Sequence, residues 1–178
     1  DALGNVIARK KGNGKKVLFS AHMDQIGLII THVDERGFLR FSNVGGLDAD
    51  ELIGLHMVFD NGLEGFISSE ELEGKEKVTM SKLFLDVGST SKDFVKANFK
   101  VGDMCVFQAQ YYETPDCVKC KAADNRIGCY VLIEALKNHP ATENDVYYVF
   151  SVQEEVGCRG AKTAGYIVNP DLAIAVDV

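Results

Sequence analysis

One histidine and five carboxylates stand where strand-like or helix-like runs stop or start. His22 and Asp24 follow Lys16–Ala21, Asp124 opens an amphipathic stretch, Glu154 and Glu155 follow Val146–Val152, and Asp177 follows Leu172–Val176. An imidazole among carboxylates, with no thiolate, suits zinc, cobalt or manganese better than a sulfur-bound metal. So many carboxylates cannot all ionise side by side unless cations neutralise them. One carboxylate bridging two metal ions ~3.5–4 Å apart, with a water between them, is the two-metal hydrolase arrangement.

Within that set, the adjacent pair Glu154-Glu155 carries extra information. Consecutive residues leaving a strand point in different directions. One of the pair can therefore bind metal while its neighbour faces the activated water. A carboxylate there takes the water's proton and delivers it to the leaving amine, as general base and then general acid. In His22-Met23-Asp24 the two-residue step lets Asp24 accept the second imidazole N–H and fix the tautomer. Each residue also has a plainer role: a hydrogen-bonded structural histidine, a solvated glutamate pair, an aspartate capping a helix. The metal reading gains weight because four such positions fall at element ends in one domain.

The elements that must hold these groups are legible in outline. Lys16–Ala21 and Val146–Val152 are apolar runs without alternation, as expected of strands buried on both faces. Ile127, Val131 and Ala135, with Leu132 and Leu136 beside them, mark an amphipathic helix after Asp124. Asp124 or Asn125 caps it, and Asn138-His139-Pro140 ends it. A turn-rich or helical piece over Gly160–Tyr166 leads to a last strand at Leu172–Val176. Strand, helix, strand, helix, strand is an α/β layout with a mainly parallel sheet. In such sheets ligands bind beyond the carboxyl ends of the strands, where the candidate residues lie.

Between the early strands and that helix the pattern differs. Ile26–Val33 and Phe38–Phe41 flank Asp34-Glu35-Arg36-Gly37, a hairpin signal. Short strands follow around Met57–Phe59, Leu63–Ile67, Leu83–Val87 and Met104–Ala109, with a short helix over Ser91–Asn98. Many short strands at regular spacing suggest a small β-barrel or sandwich. The charge agrees with a separate unit: residues 31–113 hold 15 acidic and 8 basic residues, and the remainder holds 11 of each.

The 178 residues match one domain, or one domain carrying a large insertion, at about 150 residues per domain. A hydrophobic fraction of 46% excludes general disorder. No run approaches the ~18 apolar residues of a membrane span. A net charge of −7 argues against nonspecific binding to nucleic acid or anionic membrane. Five cysteines at irregular spacing do not form a disulfide framework and favour a reducing, cytoplasmic setting. Cys117-Val118-Lys119-Cys120 is a lone CxxC without the partner ligands of a structural zinc site, so its cysteines read as structural.

Four segments occur in an order that resembles a known family: Ser20-Ala21-His22-Met23-Asp24-Gln25-Ile26-Gly27, Ala122-Ala123-Asp124-Asn125-Arg126-Ile127-Gly128, Gln153-Glu154-Glu155-Val156-Gly157 and Ala175-Val176-Asp177. They look like the motifs of cytosolic dinuclear-metal aminopeptidases of the glutamyl-aminopeptidase and tetrahedral-aminopeptidase type, some historically labelled cellulase or endoglucanase. The likeness spans the chain, including Asp1–Val6 and Asp86-Val87-Gly88-Ser89-Thr90-Ser91.

The resemblance implies that Asp124 bridges two divalent ions, zinc or cobalt or manganese, and is followed by a cis peptide to Asn125. It implies that His22 and Asp177 hold one ion and Glu155 the other, that Glu154 is the general base, and that Asp24 orients His22. Residues 1–30 and 114–178 would form an incomplete α/β metallopeptidase catalytic domain. Residues 31–113 would be an inserted β-barrel-like domain through which copies of the chain associate. The implied reaction removes an N-terminal residue from short peptides.

The family's second metal also takes a histidine from farther downstream. His32, His56 and His139 do not match that position and read as structural. Opening on Asp1 without an initiator Met and closing on Val178, the chain resembles a portion of such an enzyme, whose longer parent is active. Three other expectations compete: a noncatalytic folding or self-association fragment, a CxxC-based zinc or redox module, and a glycosidase. The last lacks tryptophan for sugar platforms.

Overall fold

The two apolar runs that lack alternation become neighbours at the centre of a sheet. In a computed structural model describing residues 1–74, 76–89 and 91–178, the chain runs through β1 (Val6–Lys10), β2 (Lys16–His22), β3 (Gly27–Val33), β4 (Leu39–Val44), β5 (His56–Phe59), β6 (Glu64–Ser69) and β7 (Leu83–Asp86). Helix α1 (Lys92–Asn98), β8 (Met104–Phe107) and the hairpin β9 (Tyr112–Thr114) and β10 (Cys117–Lys119) come next. Then follow α2 (Ala123–Lys137), β11 (Asp145–Ser151), α3 (Arg159–Val168) and β12 (Leu172–Ala175). Thr90, part of the 86–91 motif, lies outside the described residues.

The chain divides into two compact units, Asp1–Gln25 with Ala122–Val178, and Ile26–Lys121. The first unit holds a four-stranded sheet in the order β1-β11-β2-β12. β2 pairs in parallel with both β11 and β12, and β1 adds an antiparallel edge to β11. That edge strand has no counterpart in the sequence reading, because Val6–Lys10 ends in Arg9-Lys10 and carries little apolar signal. Cys129 and Leu132 of α2 pack with Ala21, Tyr148 and Phe150 on one face. Ala164 and Val168 of α3 pack with Leu18 and Val149.

Helix α2 turns only part of the expected apolar face to the sheet: Leu132 and Leu136 pack against it. Ile127 and Val131 are about half exposed, at 47% and 48%, whereas Gly128, Cys129 and Leu132 are buried. The helix is apolar on more than one side, so two i, i+4 stripes compete. Packing selects the one containing glycine and cysteine, whose small side chains permit close approach.

The second unit is a closed six-stranded barrel in the order β3-β4-β7-β6-β5-β8. Its core is built from Leu28, Ile30, Leu39, Met57, Ile67 and Leu85, all at most 1% exposed. Val95, the buried residue of α1, belongs to the same core, and the Ser91 side chain caps that helix by accepting from Phe94 N–H. β3 is hydrogen-bonded to β4 on one side and β8 on the other, which places the whole strand in this unit together with the β9–β10 hairpin. Gly37, at φ 86°, closes the turn where Asp34 N–H donates to Phe38 O.

The three remaining histidines have structural surroundings. His32 is an exposed strand residue, His56 stacks on Phe66 and meets Glu64 at 2.9 Å, and His139 Nδ1 lies 2.8 Å from the Tyr148 hydroxyl. All five cysteines are free thiols, with Cys105 and Cys129 buried and Cys117, Cys120 and Cys158 exposed.

Candidate metal centre

Strand register already brings the candidate ligands level. Ser151 pairs with His22, and Ala175 pairs with Ser20 in parallel, so Asp177 falls beside His22 and the Glu154-Glu155 turn begins just past it. Asp124 stands just ahead of the regular part of α2, where Asp124 (φ −78°, ψ 108°) and Asn125 (φ −121°, ψ 37°) are not helical. His22, Asp124 and Asp177 offer ligand atoms that all lie within 4.8 Å of one another, the one such group of three among the described residues.

The environment of the His22 ring decides what this group can do. The ring is buried, and its Nε2 lies 3.0 Å from Asp124 Oδ1, 3.6 Å from Asp177 Oδ1 and 3.9 Å from Glu154 Oε2. Its Nδ1 has an acceptor of its own, the Asp24 carbonyl oxygen at 3.2 Å, with Asp24 Oδ1 at 3.5 Å. A neutral imidazole whose Nδ1 carries the proton directs its Nε2 lone pair at three carboxylates. A metal cation between them, or a proton on Nε2 donated to Asp124 Oδ1 at 3.0 Å, turns that repulsion into attraction. The donor set fits a divalent metal of borderline character: one imidazole nitrogen and carboxylate oxygens, without thiolate.

Asp24 does more than the two-residue step suggested. Its two carboxylate oxygens accept the backbone N–H groups of Glu154 and Glu155, at 3.1 and 3.2 Å. The residue beside the imidazole therefore also holds the turn that carries both glutamates. Glu155 has its carboxyl pKa raised, first by burial and then by Asp124, Glu154 and Asp24, with His22 opposing. Such crowding of negative groups is what a bound cation relieves. Cys158 Sγ–H donates to Glu154 Oε1 at 3.1 Å, and that bond raises the thiol's pKa.

All six expected residues thus lie around one sheet edge: His22, Asp124 and Asp177 as a close group, Glu154 beside the ring, Asp24 beneath it, and Glu155 adjoining. Sequence reasoning missed the residues that hold their backbones. Asn5, 3% exposed, accepts Val152 N–H at 3.0 Å and donates to Gly160 O at 2.9 Å, clamping both ends of the glutamate turn. Within that turn Gln153 and Cys158 adopt left-handed backbone conformations at φ 58° and 55°, as does Ala122 ahead of Asp124 at φ 56°. Left-handed non-glycine residues concentrate where surrounding structure enforces an unusual geometry, often at functional sites. The Asp124–Asn125 peptide is cis. No spacing rule exposes Asn5, because its partners lie some 150 positions away and an isolated asparagine carries no periodic signal.

The sequence profile of the M42 glutamyl aminopeptidases matches residues 4–178. The chain belongs to the M42 glutamyl aminopeptidase family. A putative aminopeptidase of Acetivibrio thermocellus is 47% identical over 179 residues, covering 100% of this chain and 54% of its own length. The crystal structure of a TET aminopeptidase from a marine-sediment Thaumarchaeota archaeon superposes with a TM-score of 0.92 at 33% identity, covering 100% of this chain and 54% of that one. The TET1 peptidase of Pyrococcus horikoshii, described as assembling into a tetrahedron or a large octahedral shell, gives a TM-score of 0.87 at 37% identity, covering 99% of this chain and 57% of that one. This M42 chain spans about half the length of the curated relatives it matches.

Proposed function

We propose that the chain carries the metal-binding and proton-transfer groups of a dinuclear metal-dependent aminopeptidase, and that the whole protein removes N-terminal residues from peptides. The observation that carries this reading is the single imidazole nitrogen facing three carboxylates within 3.9 Å while the other ring nitrogen is already bonded. In this reading His22, Asp124 and Asp177 hold one divalent ion, and Asp124 with Glu155 contributes to a second. Bound metal supplies a Lewis acid for the scissile carbonyl and lowers the pKa of the attacking water.

The chain's own residues then divide the work. Glu154, whose Oε2 is 3.9 Å from His22 Nε2, accepts the proton of the attacking water and hands it to the departing amine nitrogen. His22 keeps its Nδ1 proton on the Asp24 carbonyl and so presents Nε2 as a donor to metal. Asp24, by gripping Glu154 N–H and Glu155 N–H, holds base and ligand in register with the imidazole. The barrel unit is proposed as the element through which copies associate. The shells described for the Pyrococcus horikoshii relative and the half-exposed Phe66 and Met104, at 53% and 52%, support that role.

The test is Glu154→Gln in the protein at its full natural length. Peptide hydrolysis should fall about 10²–10⁴-fold, because one general base is removed while the ligands stay. Zinc content, measured by elemental analysis, should not change. Undiminished hydrolysis at normal zinc content would exclude Glu154 as the base.

A further inference from the structure

We propose that Asn125 is a positioning residue for the metal centre, a strut whose side-chain amide fixes Asp177 relative to Asp124. Its role toward metal rests on the reading above. Asn125 is 1% exposed, and both polar ends of its side chain are used. Nδ2–H donates to Val176 O at 2.7 Å, and Oδ1 accepts Gly128 N–H at 3.1 Å. Along the chain, Asp124 immediately precedes Asn125 and Asp177 immediately follows Val176. One amide therefore links backbone points that are each a single residue from a carboxylate facing His22 Nε2.

The Val176 peptide is held from both sides. Its N–H donates to Ser20 O at 2.8 Å, continuing the β2 pairing past the end of β12, and its carbonyl takes the Asn125 amide. Asp177 thus departs from a point fixed by the strand that ends in His22 and by the residue next to Asp124. Such support matters because the two carboxylates repel one another and are themselves half open to solvent, at 61% and 48% exposed. A metal centre needs its ligands held to about 0.5 Å. Gly128 leaves room for the strut: a Cβ there would stand 2.2 Å from Asn125 Oδ1.

Helix capping alone would call for only half of this arrangement. The Oδ1 bond to Gly128 N–H is an ordinary cap of the regular part of α2, and any short oxygen-bearing side chain could make it. The bond to the Val176 carbonyl needs a donor with the reach of the asparagine amide. Asn125→Ser separates the two functions, because serine keeps a capping oxygen, loses the donor and adds no charge.

In Asn125→Ser, zinc affinity measured by calorimetry should fall about 10–100-fold, the usual cost of losing an outer support. The thermal midpoint should fall by only a few degrees, about what one lost hydrogen bond costs. Amide exchange over residues 175–178, measured on the metal-free chain by mass spectrometry, should accelerate. Gly128→Ala should lower zinc affinity in the same way with Asn125 still present. Wild-type zinc affinity and unchanged exchange in Asn125→Ser would overturn the strut. A wild-type chain that takes up no zinc would instead overturn the metal reading, and the exchange measurement would then judge the strut by itself.

Discussion

Asp24 illustrates what a single residue discloses in sequence and what it keeps hidden. Its two-residue distance from His22 pointed to its carboxylate as the acceptor of the imidazole N–H, but the Nδ1 atom lies 3.2 Å from the Asp24 backbone carbonyl and 3.5 Å from Oδ1. Its grip on the amides of Glu154 and Glu155 was not legible, because those donors are 130 and 131 positions away and any acidic residue would look alike in sequence. Asp145 makes a testable case of the same kind. It is 4% exposed, takes a two-pronged contact from Arg9 at 2.8 and 2.7 Å, and accepts the Tyr147 hydroxyl at 3.0 Å. The Arg9 hydrogen bonds hold its pKa down at about 2, against an ordinary 3.8. A carboxylate with a depressed folded-state pKa stabilises the fold above its unfolded pKa and ceases to do so as pH falls through the folded value. Asp145→Asn should therefore melt below the wild type at neutral pH. Thermal melts recorded from pH 7 downward should show the gap holding to about pH 4 and closing toward pH 2. A gap independent of pH across that range would mean that the Asp145 charge contributes nothing.

At the scale of elements, position was easier to read than orientation. Lengths and turn signals located the barrel strands because each is short, β-branched or aromatic, and bounded by glycine or acidic turns. The α2 helix was located too, but its inward face only in part: Leu132 and Leu136 were read correctly, whereas Ile127 and Val131 offer as strong an apolar stripe as Cys129 and Leu132. Burial in the folded unit separates the two: Leu132 is 2% exposed and Val131 is 48% exposed. Leu132→Ala should destabilise the chain by about 2–5 kcal/mol through lost burial and a cavity. Val131→Ala should stay within about 0.5 kcal/mol, as exposed positions do. Urea unfolding of the two variants measures the difference directly. Equal losses would show that the sheet-facing stripe has been assigned wrongly.

For the molecule as a whole, each unit owns a core, and the charge is divided unevenly between them. The unit Ile26–Lys121 holds 16 acidic and 10 basic residues, whereas the other holds 10 and 9. Association through the barrel, as proposed, brings together surfaces that repel at long range and attract through apolar contact at short range. Salt screens the first over about 10 Å at 0.1 M and leaves the second largely intact. Self-association of the chain should therefore strengthen as ionic strength rises from ~0.05 to ~0.5 M, with the Debye length shortening accordingly. The same surface supplies a variant, since Phe66 stands 53% exposed on the barrel. Phe66→Asp replaces an apolar contact with another like charge, so it should weaken association at every salt concentration while leaving zinc uptake by the separate sheet unit unchanged. Sedimentation velocity across a concentration series reads the first effect and calorimetry the second. A chain that stays monomeric at all salt concentrations, or a Phe66→Asp variant that associates like the wild type, would remove this face of the barrel from the assembly.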